Sequence, residues 1–142
     1  MKALSLFLLL ISSLTLFAQT ESIAGDYTIK FGDEVSSIFE YKLTLKQDGT
    51  FYLDYYSFIK NGIPPEKKSF GKGTWTEKNK VITFVSDKQK DLDEKYTLDL
   101  TNTKARFITK SSRDKSDKIV KTQLQFLESE IPWLSRINML KM

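Results

Sequence analysis

The sequence contains no cysteine and no histidine in its 142 residues. Without Cys there is no disulfide framework, no thiolate nucleophile and no lipidated cysteine. Without His, the Ser-His-Asp triad, Cys/His zinc centres and the usual near-neutral general base are excluded as well. An enzyme built from this chain would have to work with carboxylates, Lys or Tyr. A working carboxylate pair needs a defined separation and divergent pKa values, and nothing in the spacing here indicates one. We therefore expect a chain that is not an enzyme and has no cofactor and no metal. Charge of one sign is also scarce: 22 Lys and Arg stand against 18 Asp and Glu, a formal charge of +4. That is too mild for uniform attraction to nucleic acid, so no nucleic-acid partner is expected.

Long hydrophobic runs are nearly absent too. The one run is at the start, in "MKALSLFLLLISSLTLFA", with Lys2 ahead of the apolar residues from Leu4 to Phe17 and a small residue, Ala18, behind them. This is the layout of a secretory signal peptide. The run is shorter than the roughly 20 residues a spanning helix needs, and polar Gln19-Thr20-Glu21 follows at once. The expected organisation is a signal peptide at 1–18 and a single domain at 19–142. The mature chain then has no transmembrane segment and is exported, to the periplasm or outside the cell.

What the domain does have is a period of two. In "IFEYKLTLK", Phe39, Tyr41, Leu43 and Leu45 alternate with Glu40, Lys42, Thr44 and Lys46, a half-buried strand with one wet face. Asp48-Gly49 is a strong hairpin signal. The next strand, from Phe51 to Ile59, carries rings on both faces: Phe51 and Tyr55 on one, Tyr52, Tyr56 and Phe58 on the other. "SFGKGTWT" places Gly71, Gly73 and Trp75 on one face, a pattern that marks a bend or a close backbone approach. "KYTLDL" reads as a strand burying Tyr96, Leu98 and Leu100. The tail from 131 to 142 fits a closing strand or one short helix after Pro132, and a closing strand is favoured. Eight or nine short strands joined by polar turns predict an all-β, single antiparallel up-and-down barrel. Closure is the usual solution to the edge problem at this size, and a two-sheet sandwich is the rival.

The succession "IAGDYTIKF", "LTLKQDGTFYLDY", "GKGTWTEKNKVITF" and "YTLDL" resembles the lipocalin-like small barrels of secreted and envelope bacterial proteins. The carrying motifs are Gly25-Asp26-Tyr27, Asp48-Gly49-Thr50-Phe51 and Gly73-Thr74-Trp75, with Tyr27 where lipocalins usually have Trp. The resemblance implies the same barrel and a binding role, without fixing a ligand.

An eight-stranded barrel interior is either filled by side chains or holds one small ligand. The inward set includes Tyr27, Phe39, Tyr41, Phe51, Tyr55, Trp75, Phe84, Tyr96, Phe107 and Phe126. If a pocket exists, Tyr27, Tyr41, Tyr55, Trp75 and Tyr96 are its expected lining, because Tyr and Trp pair an apolar body with a polar tip. The partner expected is then a small apolar or amphipathic molecule. The alternative is a ligand-free envelope module that docks a protein or an anionic glycan through its surface. Candidate surface features are the outward pair Tyr52 and Tyr56 and the basic stretch from Lys104 to Lys121. The acidic cluster Asp87, Asp91, Asp93 and Glu94 lacks the glycine and regular spacing of a calcium loop.

Overall fold

A computed structural model of the chain describes residues 23–111 and 113–142. The signal peptide expected at 1–18 lies outside the described residues. Among the described residues there are nine strands: β1 (Gly25–Asp33), β2 (Ser37–Leu45), β3 (Thr50–Ile59), β4 (Glu66–Lys78), β5 (Val81–Val85), β6 (Tyr96–Leu98), β7 (Thr103–Ile108), β8 (Gln123–Glu128) and β9 (Asn138–Lys141). They form one sheet in the order β3-β2-β1-β9-β8-β7-β5-β4-β6, and β3 also pairs with β4. That last pairing closes the sheet into an eight-stranded antiparallel up-and-down barrel, with β6 as an extra strand. The barrel reading therefore holds against the sandwich. The tail follows the closing-strand alternative, because β9 pairs with β1 at Tyr27↔Lys141 and Thr28↔Leu140.

The turns follow from local chemistry. At the β2–β3 hairpin Asp48 Oδ1 accepts the Thr50 N–H at 2.9 Å, and Gly49 takes a φ of 87° that L side chains avoid. The β4–β5 hairpin has Asn79 and Lys80 both at positive φ (53° and 64°), the two-residue turn whose twist matches its strands. β4 begins earlier than the sequence pattern indicated, at Glu66, because Glu66, Lys67 and Lys68 pair with Phe58, Ser57 and Tyr56 across the loop.

β5 is much shorter than β4 and pairs only with its second half, from Thr74 to Lys78. The chain leaves β5 at Val85, loops through 86–95, and returns as β6 beside Phe70 and Gly71, parallel to β4. β7 then continues in the same direction against β5. This step is held by Ser86. Its hydroxyl donates to the Lys72 carbonyl at 2.9 Å and accepts the Leu100 N–H at 3.1 Å. Gly71 and Gly73 make room for the crossing. A Cβ on Gly73 would lie 2.1 Å from the Val85 carbonyl oxygen; one on Gly71 would meet the end of Leu100 at 2.8 Å.

At one end of the barrel the segment from 129 to 137 folds inward. Leu134 is fully buried, and Ile131, Trp133 and Ile137 pack against the core. Ser129 fixes the segment, sharing a hydrogen bond with Thr103 at 2.7 Å and accepting the Ile131 N–H at 3.1 Å.

Gly73→Ala is expected to destabilise more than Gly71→Ala, because a backbone carbonyl cannot yield and the tip of Leu100 can. Overpacking of this kind costs about 1–3 kcal/mol. Ser86→Ala, which leaves the Leu100 N–H buried without its acceptor, is expected to cost about 1–3 kcal/mol. Urea unfolding midpoints at unchanged slope measure all three; a Gly73→Ala protein as stable as the parent would contradict the close approach.

Candidate functional site

The five residues expected to line an internal pocket are found in four places. Tyr27, on β1, is fully buried, and its hydroxyl donates to the Ile23 carbonyl. Burial holds that phenol far above the ordinary tyrosine range. Tyr41 and Tyr55 face each other across β2 and β3, ring centroids 5.1 Å apart. Tyr55 stacks on Trp133 at 4.2 Å with an interplanar angle of 18°. The Tyr41 hydroxyl points to the Trp133 carbonyl at 3.4 Å, and burial, with Tyr55 adding to it, pushes its pKa up to about 12. Trp75 is buried elsewhere, its indole N–H donating to the Lys46 carbonyl at 3.0 Å, which ties β4 to the β2–β3 hairpin. The polar tips of Tyr27, Tyr41 and Trp75 are thus directed to main-chain carbonyls. Phe51, Phe84 and Phe126 fill the space between them, with Phe51 edge-on to Phe84 at 5.1 Å.

Tyr96 is not in the interior, and the inward reading of that residue is corrected. Its ring lies on the outer face, 6.2 Å from Tyr52 and 6.3 Å from Phe70. The cause is a register shift. Tyr96 sits opposite outward-facing Phe70, whereas Leu98, two residues on, sits opposite inward-facing Gly71. Two residues of β6 match one step of β4, and the period of two breaks there.

Sequence reasoning missed the internal roles of Trp133 and Leu134. The available signal was four apolar residues, Ile131, Trp133, Leu134 and Ile137, in a segment opened by Pro132.

A cleft lies on the outer wall. It has a volume of about 490 Å³ and crosses the outer face of β1–β4, lined by Thr28, Glu40, Lys42, Asp54, Tyr56, Lys68 and Phe70, with Tyr41 and Tyr55 between them in the strands. Cross-strand register assembles it. Thr28, Lys42, Asp54 and Phe70 form one row across four strands, and Lys30, Glu40, Tyr56 and Lys68 form the next. Lys30 and Glu40 pair at 3.2 Å, and the Tyr56 hydroxyl donates to Glu66 at 3.2 Å. That hydrogen bond, after partial desolvation, raises the Tyr56 pKa. Of the outward pair, Tyr56 therefore lines this cleft and Tyr52 flanks it in the adjoining row with Thr44 and Lys72.

The other candidates resolve into local structure. Asp87 and Asp93 accept N–H groups of their own turns, from Gln89 and from Lys95 and Tyr96 at 2.8 Å each. These bonds hold the Asp93 carboxyl below its usual range. Among the described residues no group of three or more Asp or Glu is arranged to hold a metal. In the stretch from Lys104 to Lys121 the described residues run out of β7 into an exposed connection, where Lys110 Nζ donates to the Ser116 carbonyl at 2.6 Å.

Fold and site together define a small closed antiparallel β-barrel with a packed interior and a polar-aromatic cleft on its outer wall. No protein-family model, curated protein or solved structure matches the chain. Among the described residues no helix is long and apolar enough to cross a membrane.

The buried phenols predict alkaline sensitivity. A Tyr41 pKa of about 12 exceeds the ordinary value of 10.0, so the folded state keeps the proton longer than the unfolded chain. That contribution is fully present below about pH 10 and is lost as pH rises through about 12. Tyr41→Phe should flatten the fall in urea midpoint across this window. An unchanged slope in the variant would contradict the burial of this hydroxyl.

Proposed function

We propose that the chain is an exported, lipocalin-like binding barrel that meets its partner through the outer face of β1–β4 and not through an internal cavity. The observation that carries this reading is where space and free chemistry lie. The interior rings pack on one another, and three of the four inward candidates direct their polar tips to main-chain carbonyls. The cleft of about 490 Å³, by contrast, opens on the outside and brings together Lys42, Asp54, Tyr56, Lys68 and Phe70. That volume is within the range of about 300–1,000 Å³ usual for ligand sites. The interior reading would require Trp133 and Leu134 to leave the barrel end they close. Export follows from the leader read at 1–18 and supplies the setting, the cell envelope, in which the partner is met. The absence of His and Cys and the structural use of Asp87 and Asp93 support binding rather than catalysis.

Hydroxyl-radical footprinting of the protein, alone and with a detergent-free envelope extract, tests this. The expected result is protection of Tyr52, Tyr56, Phe70 and Tyr96, with little change at Phe31 on the barrel lip. Protection confined to the Trp133 end, with the outer rings unchanged, would overturn it.

A further inference from the structure

We propose that this outer face takes an acidic glycan, a chain of carboxylate-bearing sugars laid across β3, β4 and β6; the assignment rests on the outer-face reading above. The strip beside the cleft is built from three rings and three ammonium groups. Tyr52, Tyr96 and Phe70 form a continuous platform, with Tyr96 6.2 Å from Tyr52 and 6.3 Å from Phe70. Lys46 Nζ lies 4.9 Å from the centroid of Tyr52, and Lys72 Nζ 4.6 Å from that of Tyr96. Lys95 Nζ lies 5.0 Å from Phe70 and 5.2 Å from Tyr96. The nearby carboxylates Asp48 and Asp93 sit in the flanking turns, where each accepts hydrogen bonds from backbone N–H groups and lies within electrostatic reach of these ammonium groups, Asp48 of Lys46 and Asp93 of Lys72 and Lys95.

An ammonium over an exposed ring is weakly held. A sugar carboxylate draws it off the ring, and the apolar C–H face of the same sugar takes its place. The adjoining cleft decides which polyanion fits. It shares Phe70 with the strip and sets Lys42 and Lys68 beside Asp54, Thr28 and the Lys30-paired Glu40. The lysines take a sugar carboxylate while Asp54 and Thr28 accept hydrogen bonds from sugar hydroxyls, and each unit of a uronate chain carries both groups, whereas a DNA phosphate backbone brings the anion without the hydroxyl donors.

Isothermal titration of the full mature protein with a galacturonic acid oligomer tests the proposal, with a neutral galactose oligomer of equal length, dextran sulfate, a single-stranded DNA oligomer and anionic phospholipid vesicles as comparisons. Saturable binding of the uronate is expected, at least about tenfold tighter than that of the neutral oligomer and weakening as salt rises. Tyr96→Ala and Lys72→Ala should each weaken it at least about tenfold, while Lys110→Ala leaves it unchanged. Lys72→Glu, a change at a half-buried position on the outer face, keeps the test valid if Tyr96→Ala fails to fold.

Equal or tighter binding of dextran sulfate, DNA or vesicles, indifferent to Tyr96→Ala, would overturn the assignment. So would the absence of binding to galacturonate and mannuronate oligomers alike. If the uronates fail while the envelope extract still protects Tyr52 and Tyr96 in footprinting, the glycan assignment falls and the outer-face reading stands. If that protection is missing too, both fall.

Discussion

The width of an eight-stranded barrel governs this molecule. Such a barrel encloses about as much space as inward side chains can fill, and here the inward positions are taken by large rings. Phe84 lies between Phe51 and Phe126, with centroids 5.1 and 5.8 Å away. Tyr41, Tyr55 and Trp133 form a second cluster at the end closed by the 129–137 segment. With no cysteine to form a disulfide, the fold depends on this packing, and each ring adds a large apolar burial. Tyr27, Tyr41 and Trp75 also contribute hydrogen bonds from their polar tips, so the same residues serve as both core and clamps.

With large rings in the interior, the working surface we propose is the wall. The wall of β1–β4 is made from the longest strands, and its outward side chains are set by register. Thr28, Lys42, Asp54 and Phe70 meet in one row only because four strands pair without a slip. β6 extends this wall. It fills the space beside β4 that short β5 leaves open, and it fits there because Gly71 and Gly73 carry no side chain into the crossing. Ser86 holds the crossing in place. The register shift then turns Tyr96 outward to complete the aromatic strip, so a detail of strand pairing in β6 determines the chemistry of the face.

Much of the fold was legible in the sequence. Alternation in 39–46, the Asp48-Gly49 turn and the glycine-spaced strand before Trp75 each correspond to an observed element, and the close approach at Gly71 and Gly73 was readable from their spacing. The barrel order followed from short turns between successive strands. Tyr96 was misread because a period of two assumes an unbroken ladder, and a bulge gives no sign in a three-residue strand. The tail was ambiguous because its burial depends on the barrel mouth it closes, not on its own pattern. Of the cleft, Tyr56 was legible as one of the outward pair, but the rest was not. Its other residues are spread from 28 to 70, each reads singly as an ordinary strand position, and only cross-strand pairing makes them neighbours. The rings of "DGTFYLDYY" divide accordingly: Phe51 and Tyr55 pack inside, Tyr56 lines the site and Tyr52 flanks it.

Native mass spectrometry of the mature protein, purified gently from its own host, bears most directly on the sealed interior. The account predicts the mass of the bare polypeptide after detergent-free purification, with no apolar molecule retained. A co-purifying small molecule that is lost in Tyr41→Ala but kept in Tyr52→Ala, with both variants folded, would contradict it and return the binding site to the inside of the barrel.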